Sequence, residues 1–118
     1  LTLREAFDRM VRFRRLVGDI LQLELIDRGD RYRVVIDVSA HPDMPWQAVD
    51  AIAAMCVRQA RVLHGGRPCH PLEVGFRHLP PADCGPYERL FRAPVRFGQA
   101  FNYLEFSRAD IEDRLPSG

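Results

Sequence analysis

Lysine is absent from this chain: all seventeen basic residues are arginine, and sixteen acidic residues oppose them for a formal net charge of +1. Without a clustered basic excess, the chain is a poor candidate for the part of any protein that grips a phosphate backbone. The arginine-only composition has two readings. One is a surface tuned to anions through planar guanidinium forks; the other, which carries more weight, is the codon bias of a GC-rich genome. No apolar run approaches the roughly 20 residues that span a bilayer, and no apolar core follows a basic start as in a signal peptide. Three cysteines at 56, 69 and 84 are odd in number and irregularly spaced, which argues against a disulfide framework and for a reducing cytoplasm. Also missing are a G-x-S-x-G elbow, a phosphate-binding loop and a Rossmann glycine pattern.

What remains is an ordinary globular composition, 47% hydrophobic and 28% charged over 118 residues, sized for one domain with one core. The chain begins at Leu1 and ends at Pro116-Ser117-Gly118, which reads as a piece cut from something longer. Thr2 and Glu5 fit a capping box, and Leu3, Ala6, Phe7, Met10, Leu16 and Val17 recur at helical spacing up to Gly18. A hairpin follows. Leu21, Leu23 and Leu25 alternate with polar residues, as do Tyr32, Val34, Ile36 and Val38, around an Asp27–Asp30 turn in which Gly29 is free to take positive φ. Such alternation predicts one buried face and one wet face, with Arg33 and Asp37 on the wet side.

Pro45 sits at the start of a longer amphipathic helix marked by Trp46, Val49, Ile52, Cys56, Ala60 and Leu63, which Gly65-Gly66 stops. A third strand is expected over 72–77, closed by Pro80-Pro81. Asp83 is placed to cap a short helix with Pro86, Tyr87, Leu90 and Phe91 on its apolar side. Pro94 ends it and opens a tight hairpin around PVRFG, with a fourth strand at Val95–Phe97 and a fifth at Tyr103–Phe106. A last helical turn lies between Ser107 and Arg114. The expected architecture is α+β: a mainly antiparallel sheet of about five strands with helices packed on one face.

Candidate chemistry is thin. His64, Cys69, His70, His78 and Cys84 invite a zinc reading, but Cys69 and His70 are adjacent and Cys84 stands alone, a spacing that matches no standard knuckle. A Cys84–His78–Asp83 triad would need a base within reach and an oxyanion hole, neither of which proximity in sequence supplies. The carboxylates Asp110, Glu112 and Asp113 crowd a polar tail where nothing desolvates them. No catalytic residue, metal ligand or cofactor is therefore assigned. Trp46, Phe76, Tyr87, Phe91, Phe97 and Tyr103 read as core aromatics first and effector-pocket walls second. His78 is balanced between a local loop-fixing bond and a ligand contact. The ligand-binding candidates are Phe76, His78, Tyr87 and Tyr103.

The opening Thr2-Leu3-Arg4-Glu5-Ala6, the strand Val74-Gly75-Phe76-Arg77-His78 before its prolines, the helix Tyr87-Glu88-Arg89-Leu90-Phe91, and Pro94-Val95-Arg96-Phe97-Gly98 together resemble the AraC/XylS-type transcription regulators. Within them they are similar to the branch whose N-terminal region is called the arabinose-binding-type domain. The resemblance runs over nearly the whole chain and is strongest from Leu72 to Phe106. It implies a cytoplasmic, non-enzymatic regulatory domain that binds an unidentified small-molecule effector and forms a homodimer. It also implies that DNA is contacted only through a C-terminal helix-turn-helix domain absent from this chain, with no membrane partner. Two alternatives stay open: a small Cys/His enzyme or metalloprotein, and a dimerisation module without effector that pairs through helix faces or through the edge of the Tyr103–Phe106 strand.

Overall fold

The computed structural model describes residues 2–5, 22–65 and 68–112. The body of the expected first helix, together with Gly18, Leu21, Gly66 and Asp113, lies outside them. At its start, the Glu5 amide donates to Thr2 Oγ1 at 3.1 Å, one half of the expected capping box, and Leu3 is buried in the core.

Strands β1 (Gln22–Asp27) and β2 (Arg31–Asp37) form the expected antiparallel hairpin, with Leu23 opposite Ile36 and Leu25 opposite Val34. Asp27 Oδ1 accepts from the Gly29 amide at 2.9 Å, and Gly29 takes φ 89°, a left-handed value that a side chain would strain. Helix α1 (Trp46–Leu63) follows, with Pro45 as its N-cap rather than inside its first turn. Its inward stripe is Val49, Ala53, Cys56, Val57 and Ala60; the small alanines and cysteine let the helix lie close on the sheet.

The second half departs from the expected order of pairing. Strand β3 (Glu73–Gly75), helix α2 (Gly85–Phe91), strands β4 (Val95–Arg96) and β5 (Asn102–Ser107), and helix α3 (Arg108–Glu112) complete the chain. The sheet runs β1-β2-β5-β3-β4. The mainly antiparallel, five-stranded α+β architecture stands, but no β4–β5 hairpin forms. Instead β4 pairs with β3 in parallel, and β5 inserts between β2 and β3, antiparallel to both. The edge of the Tyr103–Phe106 strand is therefore not free to pair subunits, because both of its sides are already bonded. The third strand is shorter than expected at both ends. Leu72 turns outward at 41% exposure, although its amide still reaches Glu105 O. Helix α2 begins one residue late: Cys84 is its N-cap, and Asp83 Oδ1 accepts from the Gly85 amide at 2.9 Å.

Pairing parity divides the side chains between two faces. Tyr32, Val34, Ile36, Val74, Leu104 and Phe106 face the helices and form the core. The other face is not simply wet, as the alternation suggested. Val35, Tyr103 and Glu105 are buried there too: Tyr103 lies flat over Gly75, its cross-strand partner, with Arg33 over its ring, and Arg31 and Arg33 bond Glu105. A Cβ on Gly75 would come within 2.0 Å of Tyr103 Cε1. The Tyr103 hydroxyl donates to Glu73 and its ring lies under Arg33, so Gly75→Ala must push the ring out of both contacts. We expect a loss of about 2–3 kcal/mol in urea unfolding, partly regained in the Gly75→Ala/Tyr103→Ala double variant. Additive single losses would contradict the contact.

Candidate functional site

Beyond β3 the chain runs through Phe76, Arg77 and His78 before its prolines, and this segment sits between two very different surroundings. On one side is an aromatic cluster. The fully buried Phe76 has ring centroids of His78, Tyr87, Phe91 and Phe97 within 6.0 Å. Tyr87 from α2 meets Phe97 edge-on at 5.3 Å, a geometry aromatic quadrupoles favour.

Asp50, on α1, ties this cluster to the helix. Its Oδ2 accepts from the Tyr87 hydroxyl and its Oδ1 contacts His78 Nε2 at 2.8 Å. Burial, then the Asp50 hydrogen bond and charge, pushes the Tyr87 phenol well above its ordinary range. His78 Nδ1 meets Leu79 O at 2.9 Å. Both ring nitrogens of His78 thus lie against oxygen atoms of the protein. The polar atoms of this histidine are committed to the protein, and its open surface is the ring.

On the other side lies a cleft of about 380 Å³ at the end of the sheet, within the size range of small-molecule sites. The loop leaving β2 supplies Val38, Ser39, His41, Pro42 and Met44; α1 supplies Trp46 and Val49; and Arg77, His78 and Asn102 close it. Trp46, 43% exposed, stands beside His78 with ring centroids 4.9 Å apart. Asn102 is buried at the start of β5, where its Oδ1 accepts from the Arg77 amide at 2.9 Å.

The four sequence candidates therefore do not form one site. Phe76 is core, with no exposed surface. Tyr87 supports His78 from behind through Asp50. His78 alone lines the cleft. Tyr103 is on the opposite face of the sheet, where its hydroxyl donates to Glu73 Oε2 at 2.5 Å and Arg33 stacks 3.9 Å from its ring centroid. Burial, then Glu73, pushes that phenol up to about 12. Asp50, Asn102 and the cleft-lining role of Arg77 went unread in the sequence. An isolated acid in a helix pattern and a polar residue at a strand end carry no distinctive spacing; of the residues lining the cleft, only Trp46 and His78 were named as possible pocket walls.

The cysteine and histidine constellations come apart. His64, buried, contacts Asp110 O at 3.0 Å; His70 Nδ1 meets Arg61 at 3.2 Å; and Cys84 Sγ points to Pro81 O. With Asp83 on Gly85 and His78 on Asp50, the Cys84–His78–Asp83 triad is not assembled. No cluster of three metal-capable side chains occurs among the described residues. Arg61 is instead a clamp: its guanidinium also reaches Cys69 O, Leu90 O and Phe91 O, holding the carbonyl end of α2 against α1. No described helix is long and apolar enough to cross a membrane.

The model of the arabinose-binding N-terminal domain of AraC transcription regulators matches residues 1–115. Among solved structures, the chain is similar to the transcriptional regulator CdpR from Pseudomonas aeruginosa, with a TM-score of 0.74 at 21% identity. That likeness covers 99% of this chain and 38% of the other, so this chain spans well under half of that protein, and at such identity the likeness carries the fold alone. No curated protein matches by sequence. Family and neighbour are both described as transcription regulators, and neither as an enzyme. The match along nearly all of the chain, over the same segments whose order and spacing suggested it, means that this chain belongs to the family of arabinose-binding N-terminal domains of AraC transcription regulators.

Proposed function

We propose that residues 1–118 form a single regulatory domain of a longer, cytoplasmic AraC-type regulator, one that binds a small-molecule effector and has no catalytic activity of its own. Effector binding and homodimerisation would together alter how a C-terminal helix-turn-helix domain is presented to DNA. The observation that carries the effector reading is the shared position of His78. Its ring lines the cleft, and its nitrogens lead through Asp50 to Tyr87 and helix α2. A ligand that shifts His78 therefore acts on the packing of α2 against α1.

The intact regulator tests this directly. In a fluorescence-anisotropy assay on its own promoter, an effector found by thermal shift should change DNA affinity by about 5- to 150-fold, the usual range of allosteric coupling. Absence of promoter binding by the intact protein would end the reading. A second reading, dimerisation without effector, draws on α1, where Met55 and Val62 are each 65% exposed on one stripe. That version expects no metabolite to raise Tm, whereas a ligand of the folded state must raise it by mass action.

A further inference from the structure

The walls of the cleft carry more than a generic opening. Resting on the effector reading above, the geometry points to a specific ligand class: a small organic anion with a flat apolar body, its carboxylate held by Arg77 and its ring laid against Trp46.

Charge decides the sign. No carboxylate lines the cleft. Asp50 is behind it, engaged by His78 and Tyr87, and Asp37 is turned to the Ser39 amide at 2.9 Å. Asp43 shares the loop of His41 and Pro42 but is exposed and does not line the cleft. Arg77 does line it, and its guanidinium has no ion pair or hydrogen bond among the described residues. By contrast, Arg28, Arg31, Arg33, Arg96 and Arg108 are all paired with acids. The root of Arg77 is fixed, because its backbone amide is held by Asn102 Oδ1. That same bond uses the carbonyl end of the Asn102 amide and leaves its NH₂, a donor, beside Arg77; Ser39, His41 and His78 are the other polar side chains lining the cleft. Helix α1 contributes the same polarity, since no side chain caps its N-terminus and no acid stands in its first turn. A forked guanidinium matches a planar carboxylate through two parallel bonds.

The apolar side decides the body. Trp46 offers an exposed ring at the cleft wall, with Met44, Pro42 and Val49 alongside. A planar ring system fills such a slot with little loss of internal freedom, and a flexible aliphatic chain would lose more.

Titration of the full chain with benzoate, indole-3-acetate, indole-3-acetamide and L-arabinose tests the assignment. At least one of the two carboxylates should bind and raise Tm, and indole-3-acetamide should bind at least about tenfold more weakly than indole-3-acetate. Arg77→Gln, on an exposed side chain, should keep the fold by circular dichroism. It should weaken carboxylate binding about 10- to 100-fold while leaving the amide unchanged, the range expected for lost hydrogen bonds to a charged group. Trp46→Ala should weaken acid and amide alike. Equal binding of acid and amide, unchanged acid affinity in Arg77→Gln, or no carboxylate binding at all overturns the assignment. Binding of L-arabinose alone, indifferent to Arg77→Gln, would remove the anion class and leave effector sensing intact. Loss of effector sensing itself is read separately, from promoter binding by the intact regulator.

Discussion

Phe76→Ala should cost the fold about 4 kcal/mol and lower Tm by about 15 °C. The side chain is fully buried, and four rings surround it: His78 at 5.0 Å, Tyr87 at 5.7 Å, and Phe91 and Phe97 each at 6.0 Å. Truncation removes the transfer energy of the ring and leaves a cavity that these neighbours fill only in part, since each is held elsewhere. Tyr87 and His78 are bound to Asp50, and Phe91 stands at the end of a helix clamped by Arg61. Phe76→Leu, which keeps most of the volume, should cost less than half as much. Urea unfolding followed by circular dichroism measures both. A loss below about 1 kcal/mol for the alanine variant would mean that the cluster is not the centre of the core.

Glu105→Gln should cost about 3 kcal/mol near neutral pH, on the opposite face of the sheet. Glu105 is 3% exposed and accepts from Arg31 at 3.0 Å and Arg33 at 2.9 Å, with Arg28 at 3.8 Å. Removing one partner of a buried ionic group leaves the others desolvated and unpaired, which costs several kcal/mol when complete. The partial exposure of the arginines keeps this case toward the lower end. Burial alone would raise the Glu105 pKa, but the hydrogen bonds and charges of Arg31 and Arg33 outweigh it and hold the carboxyl below its ordinary value. A carboxylate depressed in the fold contributes stability that is present above the unfolded value of about 4.3. That contribution is lost as pH falls through the folded value. The gap between wild type and Glu105→Gln should therefore be widest at neutral pH and close on acidification. A constant gap down to the acid limit would exclude the ionic account.

Where local chemistry decides structure, the residues were readable in advance. Helix α1 begins at Trp46 and ends at Leu63 because Pro45 and Gly65 bracket a 3.6-residue repeat, and the β1–β2 register follows from leucines and valines two apart around Gly29. The pairing of β5 was not readable. Asn102 to Phe106 are buried on both faces, yet Glu105 makes the segment read as half-wet; its burial depends on arginines more than seventy residues earlier. The same distance hid the fate of Tyr103: the parity relating it to Phe76 is set across a strand inserted out of order. Of the site, His78 was found from its neighbours in sequence. Asp50, Arg77 and Asn102 gained their meaning only when α1, β3 and β5 were brought to one end of the sheet.

The insertion of β5 between β2 and β3 also orders events as the protein is made. The β1–β2 hairpin leaves the ribosome with one side unmatched, and β3 with β4 follows in the same condition. Neither half can close until Asn102–Ser107 has been synthesised. Such non-local closure slows assembly and leaves bare strand borders exposed in the meantime. A nascent chain stalled ahead of Asn102 should consequently be the species that chaperones hold and proteases cut.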